Sequence, residues 1–394
     1  MAAKNLTFVL LNIALLLEAL VYGLIAPLVP HYARVLSAAS GELGIIFAVY
    51  SLALLLASFP AGMACDLWGR RHVLLAGLVM LLTSTLFFAW AQNLWLMIVS
   101  RIFQGAAGAA IWTAVLAATA SLFPHGERGR RLGLMMAVTG LGTIAGPVFS
   151  GLTFKLWGYQ APFLLTALAI TPVTLAFVRL PLPETNRDSA AETTGLGGFL
   201  QSLGDKDMAL VLLLVTAGSF SFGMLEPLLP LHLSRVFQMD SGEIGVFFGC
   251  LSLAYSGVEP LWGYLSDRVG YWRMILTGLT GTVVILPVLA LVDQLLILYV
   301  TGCLYSFVCC AMLVPCLPLL AKYSDARGGN NYGRHFGLVN ASYSVGLLLG
   351  PAVGGLVAQY FSFLGAALLY SFLLVVLGGF IVHNRWKAGK KPEA

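Results

Sequence analysis

Two carboxylates lie deep in apolar sequence: Glu18 within LNIALLLEALVYGLIAPLVP and Glu226 within GSFSFGMLEPLLPLHL. A charge at bilayer depth is costly and persists where it faces a polar cavity, which makes each acid a candidate functional site. Burial favours a protonated carboxyl and a neighbouring cation favours an ionised one, so a proton and a cationic ligand would compete for the same group. The two acids stand at different heights in their segments, and we assign Glu18 as the principal cation site and Glu226 as the principal proton-coupling group. Glu259 lies eight residues before Asp267, about 12 Å from the end of its segment, where water can reach it. Arg101 lies six residues past Trp95, about 9 Å deep. Its permanent charge requires partners there, and it would bias the ionisation of a nearby acid or organise polar side chains. Tyr22, Trp112, Phe222, Tyr305, Asn340 and Tyr343 are candidates for a cage that holds an amine by cation–π contact, with plain packing as the alternative for each.

The elements that carry these residues are membrane spans. Of the 394 residues, 59% are hydrophobic and 10% charged, against roughly a quarter charged in a soluble domain. Apolar runs long enough for a hydrocarbon core of about 30 Å start near Leu6, Ser40, His72, Trp95, Arg131, Ala161, Met208, Glu243, Met274, Leu295, His335 and Leu364. The expected fold is an all-α membrane protein of twelve transmembrane helices. The first apolar run continues past Glu18 without a small-residue cleavage site, and is read as a retained span rather than a signal peptide.

Eighteen of the 22 Lys and Arg residues fall in alternate loops and tails that include both termini. By the positive-inside rule this places both termini in the cytoplasm, in an inner or plasma membrane. The net charge of +5 then reflects topology, and no nucleic acid is implied. Cys65, Cys250, Cys303, Cys309, Cys310 and Cys316 all lie in spans without metal-ligand spacing, so they read as packing groups and no metal or cofactor is expected.

The chain repeats itself at an offset of about 200 residues. Ser40 to His72 aligned with Ser241 to Arg273 gives 11 identities in 33 positions, including SGELG against SGEIG. Gly142-xxx-Gly146-Pro147 matches Gly346-xxx-Gly350-Pro351, and APLVP at Ala26 matches EPLLP at Glu226. Two pseudo-symmetric six-helix bundles are expected, at 1–178 and 207–394, joined by a polar cytoplasmic linker at 179–206. Bundles repeated about an axis normal to the membrane form a transporter architecture, with the substrate site near the midplane.

Three motifs occur in order. Gly62-Met-Ala-Cys-Asp66-Leu-Trp-Gly69-Arg70-Arg71 resembles the loop motif of the major facilitator superfamily, with a degenerate copy at Gly263, Asp267 and Gly270. Asp66, Arg70 and Arg71 at a helix junction can make charge-assisted contacts with neighbouring helix ends and so gate the cytoplasmic side; a topogenic charge cluster is the plainer reading. Arg101-Ile-Phe-Gln104-Gly105 matches the superfamily's fourth-span motif. Gly142, Gly146 and Pro147 in span 5 resemble the motif of its drug:proton antiporters, where proline and glycine let a helix bend against a close neighbour. Ordinary small-residue helix packing is the alternative.

Together these residues make the chain similar, over essentially its whole length, to the twelve-span drug:proton antiporter branch of the superfamily. Within that branch it resembles the vesicular amine transporters, through Glu18, Pro27 and Pro30 in span 1 and Met224 to Pro230 in span 7. The resemblance implies that the span 1 acid recognises the amine and the span 7 acid serves transport. Tyr50, Leu313 and Asn340 stand where that family has a lysine and two acids, and its long luminal loop is absent. The expected activity is therefore bacterial-type, proton-coupled export of lipophilic, cationic or amine small molecules by alternating access. A monomer whose partners are substrate, protons and lipid is expected. Proton-coupled transport of a neutral solute such as a sugar is the alternative. A receptor or enzyme is disfavoured by the mirrored halves and by the lack of a nucleophile–base, metal or phosphate constellation.

Overall fold

The structure is a computed structural model, described for residues 2–123, 125–179, 206–325 and 332–387. The expected linker, apart from its two end residues, lies outside the described residues. Among these residues all regular structure is helical. Helix α1 (Ala2–Gly23) gives way to a 3-10 turn at Ala26–Leu28 and then to α2 (Val29–Val35). Pro27 and Pro30 sit in the first turns of these two short helices, where the missing N–H would have had no helical acceptor. The carbonyl of Leu24, left free at the break, accepts a hydrogen bond from Ser150 Oγ at 2.5 Å. There follow α3 (Ser40–Trp68), α4 (Arg70–Ala89), α5 (Leu94–Leu122), α6 (His125–Trp157) and α7 (Ala161–Arg179). After the linker come α8 (Lys206–Val236), α9 (Ser241–Val269), α10 (Tyr271–Leu291), α11 (Leu295–Leu313), α12 (Cys316–Asp325) and α13 (Tyr332–Lys387).

Eleven helical stretches of the described residues are long and apolar enough to cross a membrane. The last, Leu338–Asn384, has 47 residues and is broken at Ser362, whose φ of 67° and ψ of 176° are not helical. A membrane-length helix lies on each side of that break, which restores the twelve expected spans. Leu56, Phe59, Leu168, Leu296 and Phe372 are among the many large apolar side chains left exposed. So much apolar surface has no place in water and suits hydrocarbon. The protein is a multi-pass membrane protein.

The repeat is visible in backbone detail. Gly69, immediately before α4, has φ of 85°, and Gly270, immediately before α10, has φ of 99°. Both adopt the left-handed region that only glycine enters without strain, at positions 201 residues apart.

The chain forms two compact units, one of Met1–Ala39, Ile45–Ala190 and Leu233–Gly249, the other of Ser40–Gly44, Ala191–His232 and Cys250–Ala394. In the first, α4 lies along α5 and α1 lies along α6. The α1–α6 seam is backbone against backbone. A methyl group on Gly142 would stand 2.8 Å from both the Ala19 Cβ and the Leu16 carbonyl oxygen, and one on Gly146 would stand 2.7 Å from the Leu20 carbonyl oxygen. In the second unit, α10 packs on α11 and α13.

Also in the first unit, the start of α9 is held by a reciprocal cap. Asp240 Oδ1 accepts from the Glu243 amide and Glu243 Oε2 accepts from the Asp240 amide, each at 2.9 Å, the arrangement of a capping box. Lys155 Nζ lies 2.7 Å from Asp240 Oδ2. Partial burial works to raise the Asp240 carboxyl, but the hydrogen bond and charge of Lys155, with the Glu243 and Gly242 amides, outweigh it and hold the group below its ordinary value. A depressed carboxyl contributes stability above its unfolded pKa, near 4, and that contribution is lost as pH falls through the lower folded value. Because the two side chains are 59% and 44% exposed, solvent keeps the contribution below about 1 kcal/mol. Asp240→Asn, which retains the cap, should lower the melting temperature in detergent slightly at pH 7, and the difference from wild type should shrink as the pH is taken down through the acid range.

Candidate functional site

Helix α5 presents Arg101, Gly105, Gly108 and Trp112 at intervals of four, three and four residues, which aligns them on one face. Across from that face stand Glu18 of α1 and Tyr50 of α3. Glu18 is 4% exposed. Its Oε1 accepts a hydrogen bond from the Tyr50 hydroxyl at 3.2 Å and its Oε2 accepts one from Trp112 Nε1 at 3.1 Å. Each carboxylate oxygen thus has a neutral donor from a different helix, which satisfies a buried acid without an ion pair at either atom.

Glycines permit this convergence. A methyl on Gly105 would overlap the Tyr50 carbonyl oxygen and stand 2.9 Å from both Ala53 Cβ and Leu54 N, so α5 and α3 meet at van der Waals distance here. A methyl on Gly108 would stand 3.0 Å from Glu18 Oε1 and 3.3 Å from the Tyr50 hydroxyl. Since a carboxylate tip can yield a few tenths of an ångström, Gly108→Ala should keep the fold. It should weaken binding of a cation at Glu18 by about three- to ten-fold, because the methyl takes space at Oε1 that the ammonium needs and a distorted hydrogen bond there costs ~1 kcal/mol. Radioligand binding to the purified protein, beside a melting curve, checks both halves of that expectation.

Arg101 is fully buried. Its Nη1 donates to Gln104 Oε1 at 2.9 Å, and its guanidinium lies over the rings of Phe47, Tyr50 and Phe88 at 4.4, 5.5 and 5.8 Å. Aromatic faces stabilise a cation electrostatically. Gln104 and three rings are thus among the partners of this charge, and one of them, Tyr50, also holds Glu18. Tyr22, one turn beyond Glu18, tilts against Tyr50 with centroids 4.9 Å apart. Of the residues singled out in this half, Glu18, Tyr22, Arg101 and Trp112 come together. Tyr50, which the sequence marked only as a departure from a vesicular pattern, is the residue that joins them.

In the second unit, Glu226 and Phe222 are half-buried on α8. Phe222 meets Tyr255 edge-on at 5.5 Å, and Glu226 lies within electrostatic range of Tyr343, whose side chain is 38% exposed. Asn340, one turn earlier on α13, is exposed. For Tyr305, read as a cage residue or as packing, the contacts are those of packing. It is 2% exposed and its hydroxyl donates to Ser221 Oγ at 2.7 Å, which in turn donates to the Gly218 carbonyl at 2.9 Å. A polar group so placed must be satisfied internally, and the Tyr305 hydroxyl is committed to α8. Glu259 is exposed on α9, within electrostatic range of Tyr255 and Cys310.

The loop motif divides its work. Arg71 donates to the Phe177 carbonyl at 3.0 Å and to the Val178 carbonyl. These are among the last, otherwise unpaired carbonyls of α7, where a cation also complements the helix dipole. Arg70 and the exposed Asp66 interact with one another. In the second half, Asp267 accepts from the Tyr271 hydroxyl at 2.7 Å. Gly142 and Gly146 form the α1 seam described above, and Pro147 extends it against Gly23, where a methyl would stand 2.8 Å from its Cδ.

The family model described as Major Facilitator Superfamily matches residues 11–220 and 211–393. The chain is 26% identical over 377 residues to the rat (Rattus norvegicus) MFS-type transporter SLC18B1, covering 91% of this chain and 81% of that one. It is 25% identical over 339 residues to the rat chromaffin granule amine transporter, with 86% and 63% covered. To the probable vesicular acetylcholine transporter-B of Danio rerio it is 26% identical over 383 residues, with 91% and 75% covered. In fold it is similar to a bacterial homologue of the human lysosomal transporter Spinster, with a TM-score of 0.82, 14% identity and 96% of each chain covered. It is similar too to the nucleoside transporter NupG, with a TM-score of 0.77, 13% identity and coverage of 97% and 99%. With twelve spans, a backbone repeat and matches along both halves, the chain belongs to the Major Facilitator Superfamily and is a transporter.

Proposed function

We propose that this protein exports lipophilic, cationic amine-type molecules in exchange for protons, by alternating access, with both termini in the cytoplasm. The observation that carries this reading is the Glu18 site: a buried carboxylate, satisfied by two neutral donors, beside the rings of Tyr22, Tyr50 and Trp112. Such a group can take either a proton or an ammonium, and aromatic faces favour the latter's charge. Glu226, half-buried beside Phe222 and in reach of Tyr343, is the second acid and takes the principal proton-coupling role. Relatives named as amine and acetylcholine transporters support the substrate class.

The test uses purified protein in proteoliposomes with an imposed pH gradient and a panel of lipophilic amines and uncharged compounds. Amine-dependent dissipation of the gradient, saturable in amine, is the expected result. Dissipation by uncharged compounds alone would point to a neutral substrate, and none by any compound would remove proton exchange from the reading.

A further inference from the structure

We infer that Tyr50 is the positioning residue that couples occupancy of Glu18 to helix α3, a role that rests on Glu18 being the cation-binding acid. Three observations meet at this side chain. Its hydroxyl donates to Glu18 Oε1 at 3.2 Å. Its ring lies under the Arg101 guanidinium at 5.5 Å. Its backbone carbonyl lies against Gly105, where no methyl fits. The ring and the main chain are thus fixed from α5, and the hydroxyl is the part left to respond to α1.

The chemistry follows from what each state of Glu18 can accept. An empty, ionised Glu18 takes the Tyr50 hydrogen bond, and a cation above the ring polarises the phenol and makes it a better donor. Each Glu18 oxygen already holds one donor, Trp112 at Oε2 and Tyr50 at Oε1, and α5 at Gly108 crowds Oε1, so an ammonium that bonds to Oε1 has room there only in place of the hydroxyl. Bound at Oε1, the incoming N–H displaces the tyrosine O–H, and α3 loses its polar tie to α1. Helix α3 ends within the loop motif, three residues before Arg71, which holds the end of α7. Release at Tyr50 is thereby passed along one helix to the gating residues. The groups that face Glu18 are Tyr22 on its own helix, Tyr50 from α3, and Trp112 and Gly108 from α5, with Arg101 behind Tyr50. From α6 the neighbouring surface is the Gly142 backbone against Leu16 and Ala19.

The experiment compares wild type, Tyr50→Phe, Glu18→Gln and a variant with 3-fluorotyrosine incorporated at position 50, in proteoliposomes. Each is assayed for amine exchange without a gradient and for uphill transport driven by a pH gradient. Tyr50→Phe keeps the ring and removes the donor. It should exchange amine within about two-fold of wild type, with KM lowered about ten-fold because nothing competes for Oε1, and should lose at least about ten-fold in uphill transport. Fluorotyrosine, a stronger donor, should raise KM above wild type while retaining coupling. A merely structural tyrosine would not order KM by donor strength. Uphill transport by Tyr50→Phe within two-fold of wild type would overturn the inference, as would a parallel fall of exchange and uphill transport. Should Tyr50→Phe fail to fold, an unchanged KM in the fluorotyrosine protein overturns it equally. Glu18→Gln separates the two levels: if that variant exchanges and accumulates amine normally, the Glu18 assignment itself falls. If it loses both while Tyr50→Phe behaves as wild type, only the role of Tyr50 falls.

Discussion

Glu18→Gln should reduce proton-driven amine transport by about 100-fold or more, while the protein still folds and reconstitutes. The substitution keeps the shape of the side chain but removes the charge that an ammonium would meet in a site 4% exposed. Truncating one partner of a desolvated charge pair costs roughly 2–5 kcal/mol, and each 1.4 kcal/mol is ten-fold in affinity. There is a second cost. Glu18 accepts on both oxygens, from Tyr50 and from Trp112, and a glutamine amide can accept on only one. Its NH2 must face a donor, so one of these bonds breaks, at about 1 kcal/mol. Initial rates of amine uptake against an imposed gradient, over a range of amine concentrations, measure the effect. A variant within three-fold of wild type would remove Glu18 from the substrate site. Size-exclusion behaviour and the melting curve should change little, because the loss falls on binding.

Gly105→Val should be among the most destructive single changes in the first unit, lowering both stability and transport. A Cβ at this position overlaps the Tyr50 carbonyl oxygen and lies 2.9 Å from Ala53 Cβ and Leu54 N. Two of those three atoms are backbone and cannot rotate away, so α3 and α5 must separate. Overpacking of this kind costs typically 1–3 kcal/mol, and a β-branched residue against backbone belongs at ~3 kcal/mol. Separation also withdraws the Tyr50 hydroxyl from Glu18 and its ring from Arg101. The expected result is a clear loss of thermal stability in detergent, with transport abolished in whatever fraction reconstitutes. The contrast with Gly108→Ala is diagnostic: there the nearest atom is a movable carboxylate tip, and the stability should survive.

The span plan was open to reading because hydropathy and length are properties of one stretch of chain. Even the break between the last two spans at Ser362 falls where the apolar run pauses, between Tyr360 and Leu364. The candidate site was legible in part. Glu18 and Arg101 announce themselves by charge in apolar sequence, and Trp112 lies on the same face of α5 as Arg101. Tyr50 does not announce itself, since a tyrosine in a span is unremarkable until its neighbour is known. Tyr305 illustrates the opposite case. An aromatic residue with a polar tip reads as a ligand for amines, but its hydroxyl is committed to Ser221, 84 residues away. Arg71 was expected to reach a helix end, and it reaches the end of α7, 106 residues downstream.

By itself the sequence determined the kind of molecule: an all-helical membrane protein with a repeated half, two acids at depth and glycines in register with its motifs. Those are consequences of solvent, periodicity and length, each of which acts on a residue and its near neighbours. Only the tertiary structure decided who meets whom. Glu18 receives its hydrogen bonds from residues 32 and 94 positions away, Asp240 pairs with Lys155, and Arg101 rests on three rings from α3 and α4. The reason is steric. Side-chain partners across helices are chosen by how close two backbones come and at what rotation, and here that is set at Gly105, Gly108, Gly142 and Gly146 by atoms on the opposite helix. A glycine shows in the sequence that close approach is permitted; which helix accepts the invitation is settled only when all of them pack together.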